Sequence, residues 1–196
     1  RKGKNKNHAY LEDYASLVQA AKAANALESI PRIDREVPQH RVRISRPFYL
    51  GKHEMTQAQW QAVMGSNPSR FKAPQNPVVQ VSWGDIQLLL AKLNQVSHGK
   101  GMKFALPTEA EWEYSCRAGT ATFLNFGNNV AAFREHGWIR ENSGQKTHPV
   151  GRLQPNAWGL YDMHGNVWEW CADWYGSYSA NSPTKDPIGP ASDASR

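Results

Sequence analysis

Five of the chain's eight tryptophans fall within residues 138–174, at Trp138, Trp158, Trp168, Trp170 and Trp174, in a stretch that follows Gly137 and is cut by Gly144, Gly151, Gly159 and Gly165. Indoles need burial, but closely spaced glycines break any helix or strand long enough to bury them in a regular pattern. The compatible solution is a set of long ordered loops that lock large side chains between them. A helical bundle and a doubly wound sheet are both excluded by this pattern. With 40% hydrophobic and 20% charged residues, 12 Pro and 15 Gly, the chain can still build a core.

Charge is unevenly placed. Residues 1–52 carry 11 Lys and Arg against 5 Asp and Glu, whereas residues 53–196 carry 12 against 12. The net charge of +6 therefore belongs to the N-terminal region. A nucleic-acid reader carries its basic face on the folded body, so nucleic acid is not an expected partner. No apolar run reaches the length of a membrane span; the longest surround Leu88, Leu89 and Leu90. Arg1 to Asn7 has the charge of a signal peptide without the apolar segment that should follow, so no targeting segment is visible and no compartment is assigned.

Along the chain, Tyr10, Tyr14, Leu17, Val18 and Ala21 recur at helical spacing and predict an amphipathic helix over 10–27 with one sticky face. Alternation around Val42 and Ile44, then Phe48 to Leu50, predicts strand within 40–52, split at Pro47. Three helix starts follow: Thr56 before Trp60, Ser82 with Asp85, and Thr108 with Glu111. These predict helices ending at Gly65, near Ser97 and near Arg117. Short strands are expected at 147–151 and 166–171.

The chemistry concentrates between Gly159 and Cys171. An extended 167–171 would put Val167, Glu169 and Cys171 on one face and Trp168 and Trp170 on the other, leaving Glu169 a carboxylate among indoles. A buried carboxylate needs a cation, an arginine or several donors. Asp162 lies seven residues upstream across a glycine-containing turn, and the carbonyls of Gly165 and Val167 stand between the two acids. Two carboxylates with turned backbone carbonyls suit calcium; pairing with arginine or backbone amides is the other reading. The seven histidines show no metal-ligand spacing. Cys116 and Cys171 form no CxxC pair and read as core residues without a cationic neighbour to activate them. Glu109, Glu111 and Glu113 sit in the first turns of a helix, where capping and dipole roles are the default.

Five segments occur in order: Gly51-Lys-His-Glu-Met-Thr56, Asn76-Pro-Val-Val-Gln-Val-Ser-Trp83, Leu106-Pro-Thr-Glu-Ala-Glu-Trp-Glu-Tyr114, Pro155-Asn-Ala-Trp-Gly-Leu-Tyr-Asp-Met-His-Gly-Asn-Val-Trp-Glu-Trp170 and Asp186-Pro-Ile-Gly-Pro190. Together they resemble the sulfatase-modifying-factor family, whose best-known member is the formylglycine-generating enzyme. The resemblance covers residues 37–196 and sets residues 1–36 apart as a basic extension or insertion bearing the amphipathic helix. It implies an α+β fold, a formylglycine-generating-enzyme-like variant of the C-type-lectin-like fold with little regular structure. It also implies a structural calcium held by the side chains of Asp162 and Glu169 and the carbonyls of Gly165 and Val167. A second calcium maps to Asn142 and Gly144, where Asn replaces the family's Asp and weakens the site.

The family's oxidases hold copper(I) with a cysteine pair downstream of the Asp-Pro-x-Gly-Pro segment. Cys116 and Cys171 match structural positions instead, so the domain is expected to be C-terminally incomplete as given, and no catalytic residue is carried over. Copper is expected only if a further C-terminal segment supplies that pair. The expectation is thus a non-catalytic, calcium-stabilised binding or assembly module, with protein partners meeting the N-terminal helix or the lectin-like face. The alternative is the body of a copper-dependent formylglycine-generating oxidase acting on sulfatase cysteines. Oxidases that form carbon–sulfur bonds in thiol-histidine biosynthesis make a third, weaker likeness.

Overall fold

Each of the three helix starts closes as a reciprocal cap in the computed structural model, which describes residues 40–176 and 183–190. Helix α1 (Gln57–Met64) begins where Thr56 Oγ1 accepts from Gln59 N–H and the Gln59 side chain accepts from Thr56 N–H; it ends at Gly65 in left-handed conformation, φ 83°. Helix α2 (Trp83–Ser97) repeats the box with Ser82 and Asp85. Helix α3 (Glu109–Arg117) repeats it with Thr108 and Glu111. All three spans agree with the sequence expectation, because a cap satisfies backbone donors that no intrahelical bond can reach. Of the three acids near the start of α3, Glu111 closes the box and Glu113 pairs with Arg117 one turn on, at 2.7 Å. A 3-10 turn, Val130–Ala132, runs into the four-residue helix α4 (Phe133–His136).

The chain divides into two units, residues 1–46 with 173–196 and residues 47–172. In the larger unit α1 and α2 meet around Trp60, Ile86 and Leu89, with Met55, Val63, Leu93, Leu106 and Trp170 packed about them. Gln57 is a polar residue inside this region, and its side chain is fully used. Its amide donates to Phe71 O and Pro77 O, while its carbonyl accepts from Asn67 Nδ2 and Ala73 N–H. One buried amide thus pins the loop between α1 and α2. In the smaller unit, Arg43 bridges Lys185 in parallel, and both Ser45 N–H and Ser45 Oγ donate to the Asp186 carboxylate.

The strand expectations are corrected. Among the described residues there is no β-ladder, and the bridges Arg43–Lys185, Thr56–Pro77 and Leu124–Gly127 are isolated. Within 147–151, His148 N–H goes to the Asn166 side chain and Val150 N–H to Gln75 O, so consecutive amides point at different segments. Within 166–171, Asn166 has φ 69° and Val167 N–H folds back onto Gly165 O. Apolar alternation by itself does not make a hydrogen-bonded ladder. The expected helix over 10–27, and the extension 1–36 that carries it, lie outside the described residues. No helix among the described residues is long and apolar enough to cross a membrane.

Candidate metal centre

Two loops converge at the start of α1. Lys52 O accepts from Tyr161 N–H and Met55 O from Val78 N–H, which fixes the segment carrying Glu54 immediately before the Thr56 cap. The opposing loop turns at Asp162, φ 60°, and its carbonyl accepts from Gly165 N–H. Asp and Asn tolerate the left-handed region better than bulkier residues, which suits Asp162 and Asn166 to these positions. Gly165 lies so close to Trp138 that a Cβ there would overlap the Trp138 carbonyl. That same carbonyl accepts from Asn166 N–H at 2.9 Å.

Asn166 organises the site from one side. Its Oδ1 accepts from His148 N–H at 3.0 Å, and its Nδ2 donates to His148 O and to Glu54 Oε2, the latter at 3.3 Å. Asp162 Oδ2 accepts from Gly151 N–H at 2.7 Å. The remaining oxygens, Glu54 Oε1 and Asp162 Oδ1, are buried without a hydrogen-bond partner. Glu54 is 9% exposed and Asp162 only 2%.

The electrostatics are those of crowded acids. Burial, then the charges of Asp162 and Glu169, push Glu54 up to about 9, against a small lowering by Asn166. Burial also raises Asp162, opposed by Gly151 N–H and by the nearby His53. Glu169 is raised by desolvation of its carboxyl and by Asp162, opposed by a bond from Trp112. Like charges in a poorly solvated place disfavour one another, and a cation reverses that penalty.

Glu169 itself departs from the sequence expectation. The residue is exposed at the rim, and the indole that reaches it is Trp112 of α3, whose Nε1 donates at 3.2 Å. Of its chain neighbours, Trp168 is 85% exposed, while Trp170 turns toward the core, edge-on to Trp83 and donating to Val81 O. Alternation could not foresee this, because the segment is not a strand. Glu54 was missed: it lies in a quoted motif, and the available signal was an acid beside apolar Met55 just before a helix cap.

Among the described residues, no three His, Cys, Asp or Glu side chains stand close enough to cage a metal by themselves. A hard cation here must draw further oxygens from the backbone, as the turn through Gly165 and Val167 permits. Asn142 is placed differently: its Oδ1 accepts from Ile139 N–H and its Nδ2 donates to Gly137 O, closing its own loop, with Gly144 at φ 59° just after it.

Both cysteines are thiols. Cys116 is buried, its Sγ 3.6 Å from Met163 O and 3.9 Å from His164 Nε2. Burial pushes this thiol up to about 12, the opposite of what a nucleophile or soft-metal ligand requires. His164 is held down to about 4 by burial, and its Nε2 accepts from Asn125 N–H, so the ring is neutral. Cys171 is half-buried.

Residues 5–191 match the sulfatase-modifying factor enzyme 1-like domain, a span that includes most of the N-terminal segment set apart by the motifs. The chain is 36% identical to the formylglycine-generating enzyme of Streptomyces coelicolor over 152 residues, covering 71% of this chain and 46% of that protein. It is 33% identical to the chaperone protein LppX of Paenibacillus barcinonensis over 181 residues, covering 65% of this chain and 62% of that one. It therefore spans about half to three-fifths of the length of these curated relatives. The solved structure of PvdO from Pseudomonas aeruginosa superposes with a TM-score of 0.68 at 27% identity, covering 80% of this chain and 68% of that one. That likeness accounts for a fold of few helices and long loops. Matched by five ordered motifs and by the domain profile from residue 5 to residue 191, this chain belongs to the sulfatase-modifying factor enzyme 1-like family.

Proposed function

We propose that this chain is a non-catalytic, calcium-stabilised binding or assembly module of its family, built on a lectin-like variant of the fold. The observation that carries the calcium reading is the pair of buried carboxylate oxygens, Glu54 Oε1 and Asp162 Oδ1, with no hydrogen-bond partner. Unsatisfied anionic oxygens at such depth are costly, and a hard divalent cation is the ligand that suits them. Asp162, Glu169 and the carbonyls of Gly165 and Val167 would hold it, and its role would be to tie the loop together. The Tyr114–Trp158 pair, ring centroids 5.0 Å apart and each about half exposed, offers an aromatic surface of the kind a binding module uses. A relative named as a chaperone protein supports a role in protein interaction.

Adding calcium should raise the melting temperature of the wild-type protein by mass action, and chelation should reverse it. Glu169→Gln should lower the melting temperature and abolish the calcium response. Equal melting curves of the wild type in calcium and in chelator would end the calcium reading.

The second reading, an oxidase acting on sulfatase cysteines, is favoured by the identity to the Streptomyces coelicolor enzyme. Copper(I) selects converging thiolates, and Cys116 does not fit: its thiol is buried, held protonated and turned to Met163 O. Titrated with copper(I) and offered a cysteine-containing sulfatase peptide, this 196-residue chain should bind no stoichiometric copper and leave the peptide thiol intact. One equivalent bound, with loss of the thiol by mass spectrometry, decides for the oxidase.

A further inference from the structure

We propose that the tip after α2, residues 96–104, docks on an anionic lipid surface. Val96, Met102 and Phe104 enter the interface, and Lys100 and Lys103 meet the headgroups.

The charge pattern comes first. Between Asp85 and Glu109 the sequence holds no acidic residue, but it holds Lys92, Lys100 and Lys103. Lys92 is engaged elsewhere, its Nζ donating to Val63 O. Lys100 and Lys103 belong to the tip, and both are exposed.

The local structure makes the tip project. Lys100 N–H returns to Ser97 O at the end of α2. The chain then comes back to Asn94, whose Oδ1 accepts from Phe104 N–H at 2.7 Å and whose Nδ2 donates to Phe104 O at 2.8 Å. One asparagine thus closes the loop and sets Phe104 beside the last turns of α2. Every residue from His98 to Ala105 is exposed. Gly99 and Gly101 take left-handed conformations, φ 79° and 72°, and a Cβ at either would meet nothing within 4 Å. Val96 is 74% exposed, Met102 60% and Phe104 42%. Single exposed apolar side chains are ordinary, but three gathered between lysines on an acid-free tip mark a contact surface.

A fluid, negatively charged partner fits this shape. A stable protein partner asks for a complementary face of about 800 Å² on each side, which one narrow turn does not offer. A bilayer interface accepts apolar side chains from a single turn, and anionic headgroups attract the lysines around them.

The test is flotation of the full chain with vesicles of phosphatidylcholine alone or mixed with phosphatidylglycerol, in chelator so that calcium cannot bridge protein to lipid. The wild type should float with the mixed vesicles, be released by high salt, and leave the phosphatidylcholine vesicles unbound. Lys100→Gln with Lys103→Gln should weaken binding by about 25-fold, about fivefold per lysine. Met102→Ser with Phe104→Ser keeps both charges and should weaken it by about tenfold or more. Arg140→Gln with Lys146→Gln removes the same charge from exposed positions elsewhere and should leave affinity nearly unchanged. No binding to the mixed vesicles overturns the proposal, and so does equal weakening by the Arg140 and Lys146 pair. Binding that survives both tip variants would belong to the basic residues 1–52 and would overturn it too. Self-association of the lipid-free chain, abolished by Met102→Ser with Phe104→Ser, would make the tip an interface between copies instead.

Discussion

The capped helices of residues 56–117 and the loops of residues 137–170 meet the same demand, partners for polar groups taken out of water, by opposite routes. In α1, α2 and α3 each box is closed by residues three apart, Thr56 with Gln59, Ser82 with Asp85 and Thr108 with Glu111. In the loops the key partners are distant: Asn166 serves His148 and Glu54, and Asn156, whose carbonyl accepts locally from Trp158 and Leu160 N–H, donates to the carbonyls of Ser115 and Cys116 some forty residues away. Asn156 thus ties a loop to the last turn of α3. The difference is one of redundancy. A helix that loses its cap keeps its internal ladder, whereas a loop organised around one side chain or one glycine has nothing in reserve.

Two substitutions break that comparison at its two ends. The largest effect is expected from Gly165→Ala, because the new methyl would overlap the Trp138 carbonyl, a backbone atom that also accepts from Asn166 N–H. Displacing it disturbs the turn, the Asn166 bonds and the placement of Glu54 and Asp162 together. A loss of about 3 kcal/mol or more is expected, measured by urea unfolding, with the calcium response lost as well. A loss under about 1 kcal/mol would mean that the loop relaxes more freely than its packing implies. The smaller effect is expected from Thr108→Ala, which removes the cap of α3 and leaves its ladder intact. Stability should fall by about 1 kcal/mol, with any calcium response unchanged. If that response drops, α3 is coupled to the centre through the Trp112–Glu169 bond more tightly than a single cap should allow.

The same contrast decides what could be read early. Helix boundaries were legible because each cap is a short-range pattern between residues three apart. The turn at Asp162 and Gly165 was legible as a place for carboxylates, since glycine and acid stand close in sequence. The strands at 147–151 and 166–171 were misread because an apolar pattern does not say which segment each amide will bond, and here His148 N–H and Val150 N–H go to different ones. The surroundings of Glu169 were misread for the same cause, and Glu54 went unnoticed because its neighbours in the fold are more than a hundred residues away.

By itself, the order of amino acids determined three capped helices, a glycine-punctuated region too irregular for a bundle, and membership of a family through five ordered motifs. These follow from local sterics and hydrogen bonding, which act over a few residues and leave a mark in the sequence. The tertiary structure alone decided which acids meet, which of their oxygens lack a partner and that Cys116 is sealed behind Met163 and His164. Those outcomes depend on burial and on contacts closed across long stretches of chain, and desolvation belongs to the assembled fold rather than to any segment of it.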